Sequence, residues 1–114
     1  MALIQPGDRF FVAGARGMAG SAIVRALNRS GYGNTELGGC ILTPGREELD
    51  LLDDAAVSRW MERQRPNVVV LAAATVGGIE ANRTRPGDFL LHNLRIETQV
   101  IDAAWRCGVH RLLF

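Results

Sequence analysis

The sequence predicts an α/β fold: a parallel sheet with helices on both faces. Three observations point to it. Short apolar runs alternate with helical patterns along the chain. One of those runs, "NVVVLAAA" from Asn67, is continuously apolar and β-branched, as in a parallel strand covered on both faces. A glycine-rich turn, "GARGMAG" from Gly14, follows the first apolar run directly and opens the first helical pattern. The chain has 114 residues and is 47% hydrophobic, which suits one domain, residues 1–114, with a substantial core.

Arg9 to Ala13 read as a short buried strand. The helix after the glycine turn places Ile23, Val24 and Leu27 on one face, and Gly31 and Gly33 punctuate its end. "GCIL" is a second short strand. "TPGREELDLLD" is a loop, with room for a very short strand at Leu49–Leu51. Asp53 is the N-cap of the next helix, which runs to about Arg65 and is stopped by Pro66. The apolar strand from Asn67 leads into a Gly-rich loop, "TVGGIEANRTRPGD". A long helix spans Phe89 to Arg106, with Leu90, Leu94, Ile101 and Trp105 among its apolar positions. Gly108 stands where a C-terminal cap belongs, and "RLLF" is the last strand. The order is β-α-β-(short β)-α-β-α-β, joined by right-handed crossovers.

Composition excludes several classes. The net charge is +1, without the basic field of a nucleic-acid binder. All 13 basic residues are Arg, and there is no Lys. Cys40 and Cys107 stand in apolar surroundings and read as buried free thiols, and with His92 and His110 they have no zinc-like spacing. The start "MALIQPGDRFF" lacks a signal-peptide pattern, and the run Val68 to Ile79 is too short to cross a bilayer. These features predict a cytoplasmic setting.

The glycine turn carries the chemistry. Gly14, Gly17 and Gly20 form a GxxGxxG between strand and helix, the context of a dinucleotide site. Gly14 permits the tight turn, Gly17 lets backbone approach a pyrophosphate, and Gly20 lets the helix pack close to the sheet. The helix N-terminus offers N–H groups and a positive dipole end to the phosphates. No Gly-Lys-Ser/Thr follows, so a P-loop is excluded. An NAD site has an acid at the end of the second strand, on the ribose 2′-OH. Here that strand runs into "CILTPGR", with no acid before Glu47, and Arg16 and Arg46 are the nearby charges. Two guanidiniums suit a 2′-phosphate, so the pattern favours NADP over NAD; the alternative is that either arginine is a solvated surface residue. Asp50 and Leu51 stand where an adenine would lie, with Asp50 able to accept from its amino group or to act only as a helix-capping acid.

Four stretches then resemble one family. "VAGARGMAGSAI", "TPGREELDLLD", "LAAATVGGIEAN" and "PGDFLLHNLRIETQVIDAAWRCGVHRLLF" are similar to the extended short-chain dehydrogenase/reductases, and within them to the GDP-L-fucose synthase family. The resemblance implies a Rossmann-type fold and NADPH as cofactor. It implies an activity that epimerises two carbons of GDP-4-keto-6-deoxy-mannose and then reduces the ketone to give GDP-L-fucose. By the same resemblance Gly14, Ala15, Arg16, Gly17, Met18, Ala19 and Gly20 hold the pyrophosphate side. Arg46, with Arg16, holds the 2′-phosphate, and Glu47, Glu48, Leu49, Asp50 and Leu51 carry the loop to the adenine. Ala72 and Ala73 line the cofactor cleft, Asn93 lies toward the active site, and the long helix joins a dimer interface. Thr75 departs from the family, where that position is often basic.

In the family a Gly-Ser-Ser-Cys segment follows the strand ending Leu-Leu-Phe, and a Tyr-x-x-x-Lys pair, a catalytic His and the nucleotide-sugar region come later. None of these is in this sequence. A Tyr acid needs a nearby cation to lower its pKa, and the one tyrosine, Tyr32, lies in the turn after the first helix. His92 and His110 have no acid/base partners nearby in sequence. The expectation is an amino-terminal, cofactor-binding fragment, incompetent in catalysis alone. The alternatives are a non-catalytic NADP-binding sensor or regulatory module, and a remnant without function.

Overall fold

The computed structural model describes residues 4–72 and 86–113. Four parallel strands form one sheet in the order β2-β1-β3-β4, with β1 Arg9–Ala13, β2 Cys40–Leu42, β3 Val68–Leu71 and β4 Arg111–Leu113. Helix α1 spans Met18–Arg29, α2 Asp54–Gln64 and α3 Pro86–Arg106, with a 3-10 turn at Thr35–Leu37. This is the Rossmann-type arrangement expected from the alternation of elements.

β1 and β3 are central because their side chains are apolar on both faces. In register, Phe10 faces Val68, Phe11 faces Val69, Val12 faces Val70 and Ala13 faces Leu71, and all eight are buried. One face carries Phe11, Ala13, Val69 and Leu71 against Val57, Trp60 and Met61 of α2 and Ile96, Val100, Ala103 and Ala104 of α3. Phe11 and Trp60 are in ring contact at 4.4 Å between centroids. Each buried Val, Leu, Ile, Phe or Met among them contributes about 1.5–3 kcal/mol. α1 packs over β1, with Ile23, Val24 and Leu27 half-buried.

Asn67 stitches the lower ends of three strands together. Its side-chain Oδ1 accepts from Arg9 N at 2.7 Å, its N–H donates to Arg9 O at 2.8 Å, and its carbonyl accepts from His110 N at 2.9 Å. The Arg9 guanidinium donates twice to Gln64 O, at 2.9 and 2.7 Å, placing a cation at the C-terminus of α2 where the helix dipole favours it.

The helix ends follow their expected chemistry. Asp53 caps α2 by accepting from Ala56 N, and α2 ends at Gln64 with Arg65 in a left-handed C-cap. Gly108 has φ +73 and follows α3. Three expectations need correction. No strand forms at Leu49–Leu51: Glu48 N and Leu49 N donate to Gly45 O, and Asp50 Oδ1 accepts from Leu52 N, so local turns consume the bonds a strand would need. Leu94 and Trp105 of α3 are exposed, the latter by 80%, and the buried stripe is instead Ile96, Val100, Ala103 and Ala104. Cys40 and Cys107 are free but half-buried rather than buried.

Candidate functional site

A cleft of about 720 Å³ opens at the carboxyl ends of β1 and β3. This is where the chain order reverses: β2 lies on one side of β1, and β3 with β4 on the other. Such a switch point leaves a crevice because the connection leaving β1 and the connection leaving its neighbour β3 run in opposite directions.

The glycine turn builds one wall. Gly14 has φ +84, a left-handed conformation that glycine adopts without a Cβ penalty. Its carbonyl accepts from Gly17 N at 3.1 Å, closing the turn before α1. Gly20, in the first turn of α1, packs directly on this turn. A Cβ on Gly20 would collide with Gly14 O and stand 2.7 Å from Gly14 C and 2.9 Å from Ala15 Cα. Gly17 is the N-cap residue of α1, no side chain caps the first turn, and no acid lies in it. The first-turn N–H groups and the dipole's positive end therefore meet no carboxylate from the helix itself.

The loop after β2 builds the facing wall. Pro44, Gly45, Arg46, Leu49, Asp50, Leu51 and Leu52 line it. Leu49 is buried and anchors the loop to the core, while Arg46 and Asp50 are exposed. Ala13 and Ala72 form part of the floor, and Ala72 N donates to Ala13 O at 2.9 Å, extending the β1–β3 pairing by one rung. Ile96 of α3 also lines the cleft.

The sequence-predicted residues thus divide. Gly14, Ala15, Arg16, Gly17, Met18, Ala19, Arg46, Leu49, Asp50, Leu51 and Ala72 line the cleft together. Gly20 lies buried behind the turn, and Glu47 and Glu48 are exposed residues off the cleft wall. Ala73, Thr75 and the Val76–Ile79 stretch lie outside the described residues. Asn93 is half-buried on α3. Tyr32 packs edge-on against Phe10 at 5.9 Å, at the end of the sheet opposite the cleft, and His110 is an exposed turn residue. Sequence reasoning missed Gly45, whose only signal was a glycine directly before Arg46. It also missed Ile96, whose place depends on how α3 packs.

Arg16 reaches across the cleft mouth and donates from Nη2 to Glu47 Oε1 at 3.0 Å. The Glu47 carboxyl is held below its ordinary 4.5, first by a backbone N–H bond within its own residue, then by the hydrogen bond and charge of Arg16. No cluster of three or more His, Cys, Asp or Glu suited to a metal occurs among the described residues. None of the described helices is long and apolar enough to cross a membrane.

Residues 10–114 match the sequence model of the NAD dependent epimerase/dehydratase family. GDP-L-fucose synthase of Escherichia coli (strain K12) is 47% identical over 107 residues, covering 94% of this chain and 32% of the relative. GDP-L-fucose synthase 1 of Arabidopsis thaliana is 46% identical over 106 residues, 93% of this chain and 31% of the relative. The chain therefore spans about a third of the length of the curated relatives it matches. Among solved structures, the GDP-mannoheptose C4 reductase MlghC from Campylobacter jejuni, with NADP bound, superposes with a TM-score of 0.84 at 31% identity, covering 96% of this chain and 32% of the reductase.

Proposed function

This chain belongs to the NAD dependent epimerase/dehydratase family, and on that premise we propose that residues 1–114 are the NADP(H)-binding domain of a GDP-L-fucose synthase. The observation that carries the proposal is the cleft itself: a glycine turn and an uncapped helix N-terminus on one wall, and two arginines at one end. Its volume of about 720 Å³ falls in the range of small-molecule and cofactor sites. The absence of a Cβ at Gly20 lets the helix close tightly on the turn, so that backbone N–H groups, rather than side chains, present themselves to a pyrophosphate.

Each wall has its part. Gly14 to Gly17 and the first turn of α1 bind the pyrophosphate by backbone donors and dipole. Arg16 and Arg46 take the 2′-phosphate with charge-assisted bonds. Asp50 accepts from the adenine amino group beside Leu51, and Ala72 with Ala73 leaves room for the cofactor at the floor. When bound, NADPH supplies the hydride that reduces a ketone. The name shared by the E. coli and Arabidopsis relatives supports GDP-L-fucose as the product, and the family resemblance implies GDP-4-keto-6-deoxy-mannose as the substrate, epimerised and then reduced.

These 114 residues do not supply the proton donor for that reduction. They contain no Lys, and Tyr32 is packed against Phe10 away from the cleft. By themselves they bind cofactor and do not turn over. The outward residues of α3, including Leu91, Leu94 and Trp105, offer a surface for pairing between copies. Two free thiols and a soluble nucleotide-sugar substrate suit the cytoplasm.

Calorimetric titration tests the reading. NADPH is expected to bind the 114-residue protein more tightly than NADH. Equal affinities would remove the 2′-phosphate assignment.

A further inference from the structure

Arg16 is solvent-exposed but paired. Its contact with Glu47 joins the glycine turn to the loop after β2, and Gly45 lies beneath the pair. A Cβ on Gly45 would stand 2.5 Å from Glu47 Oε1, 2.6 Å from Arg16 Nη2 and 3.0 Å from Arg16 Cζ. A Cβ there would push aside the ends of these two flexible side chains and disturb the pair. The seat is firm, because Gly45 is buried and its carbonyl accepts from Glu48 N at 3.0 Å and Leu49 N at 2.9 Å, with Leu49 in the core. Arg46 follows Gly45 directly and lines the same cleft.

We propose that Glu47 and Gly45 are positioning residues for cofactor selectivity: they hold the Arg16 guanidinium at the cleft mouth beside Arg46, so that the 2′-phosphate meets a prearranged pair of cations. The inference rests on the reading that Arg16 and Arg46 receive that phosphate. Its physical basis is preorganisation. An arginine side chain gives up much rotamer freedom when it grips a ligand, and less if it is already held. The bond to Glu47 uses Nη2, and a guanidinium carries five N–H donors in all. The Glu47 carboxylate offsets part of Arg16's attraction for an incoming anion, so what it contributes is placement of the guanidinium rather than charge. Because the two side chains are 77% and 72% exposed, the effect is modest and weakens with salt.

The test is a titration of wild type, Glu47→Ala, Gly45→Ala, Arg16→Ala and the Arg16→Ala/Glu47→Ala double variant with NADPH and NADH at low and high salt. Glu47→Ala is expected to weaken NADPH about fivefold at low salt, the upper end for an exposed ion pair, and less at high salt. Gly45→Ala should weaken NADPH similarly. Glu47→Ala should leave NADH affinity unchanged, which also reports an intact fold. The double variant should bind NADPH no more weakly than Arg16→Ala alone. The inference is overturned if Glu47→Ala binds NADPH as tightly as wild type or tighter, if it loses both cofactors equally, or if its loss adds to that of Arg16→Ala. A wild type without NADPH preference would instead overturn the underlying reading. A preference abolished by Arg16→Ala and untouched by Glu47→Ala would overturn the positioning role alone.

Discussion

Arg46 and Arg16 share one end of the cleft but differ in circumstance. Arg16 is tied to Glu47, whereas Arg46 is an exposed wall residue beside the buried Gly45. On the proposed reading, removing Arg46 should therefore cost one contact to the 2′-phosphate and little else. Arg46→Ala is expected to weaken NADPH about tenfold, the loss of a hydrogen bond to a charged group, with NADH nearly unchanged by calorimetry. Glu47 offers a second residue-level check. Its carboxyl is depressed below 4.5 chiefly by its own backbone N–H and then by Arg16. A depressed carboxyl adds stability above the unfolded-state pKa and loses it as pH falls through the folded-state value. In a carboxyl NMR titration, Arg16→Ala should raise the Glu47 midpoint toward 4.5 without reaching it, because the backbone bond remains. An unmoved midpoint would mean that the ion pair does not form in solution. Gly20→Ala forces a Cβ into the Gly14 carbonyl and Ala15 Cα, so it should destabilise the fold by about 1–3 kcal/mol in urea melts and abolish cofactor binding.

At the scale of elements, α2 depends on its cap and its aromatic anchor. Asp53→Ala removes the bond to Ala56 N and is expected to cost about 1 kcal/mol. Trp60 is buried against Phe11, and its Nε1 has no hydrogen-bond partner among the described residues. Trp60→Phe should thus cost far less than Trp60→Ala, for which ~3–5 kcal/mol is the range for a buried aromatic. Comparable losses in thermal melts would show that the indole N–H matters. The elements also show what the sequence could and could not reveal. β1, β3, the Asp53 cap and the Gly108 cap were legible, since each is written in local pattern: apolar runs, a capping acid, a glycine after a helix. The glycine turn was legible for the same reason. The missing strand at Leu49–Leu51 was not, because Asp50 Oδ1 and Gly45 O capture the backbone N–H groups in turns. The buried stripe of α3 was not, because apolar residues such as Leu91, Leu94 and Trp105 also stand on its outward side and blur the pattern. The Arg16–Glu47 contact joins residues 31 apart in sequence and depends on two loops meeting.

For the molecule as a whole, apolar surface remains outward. Leu94 and Trp105 on α3 and Leu113 on β4 are exposed. Apolar exposure of this kind promotes association. A Leu94→Gln/Trp105→Gln variant should sediment as a smaller species than wild type at equal concentration, with NADPH affinity retained. An unchanged sedimentation profile would remove the pairing surface proposed on α3.

The central place of β1 has a consequence in time. The first strand to be synthesised is flanked by two that are made later, and the rung that seats it on β3 joins Arg9 to Asn67 across 58 residues. It can pair with β2 early, but its other edge must wait for β3 until more than half of this sequence has left the ribosome. Loop closure over that span makes sheet assembly slow relative to helix formation. In pulse-labelled refolding, Phe11 and Val12 should gain exchange protection together with Val69 and Val70, and after the amides of α1. Until then the nascent β1 is a segment for chaperones to shield.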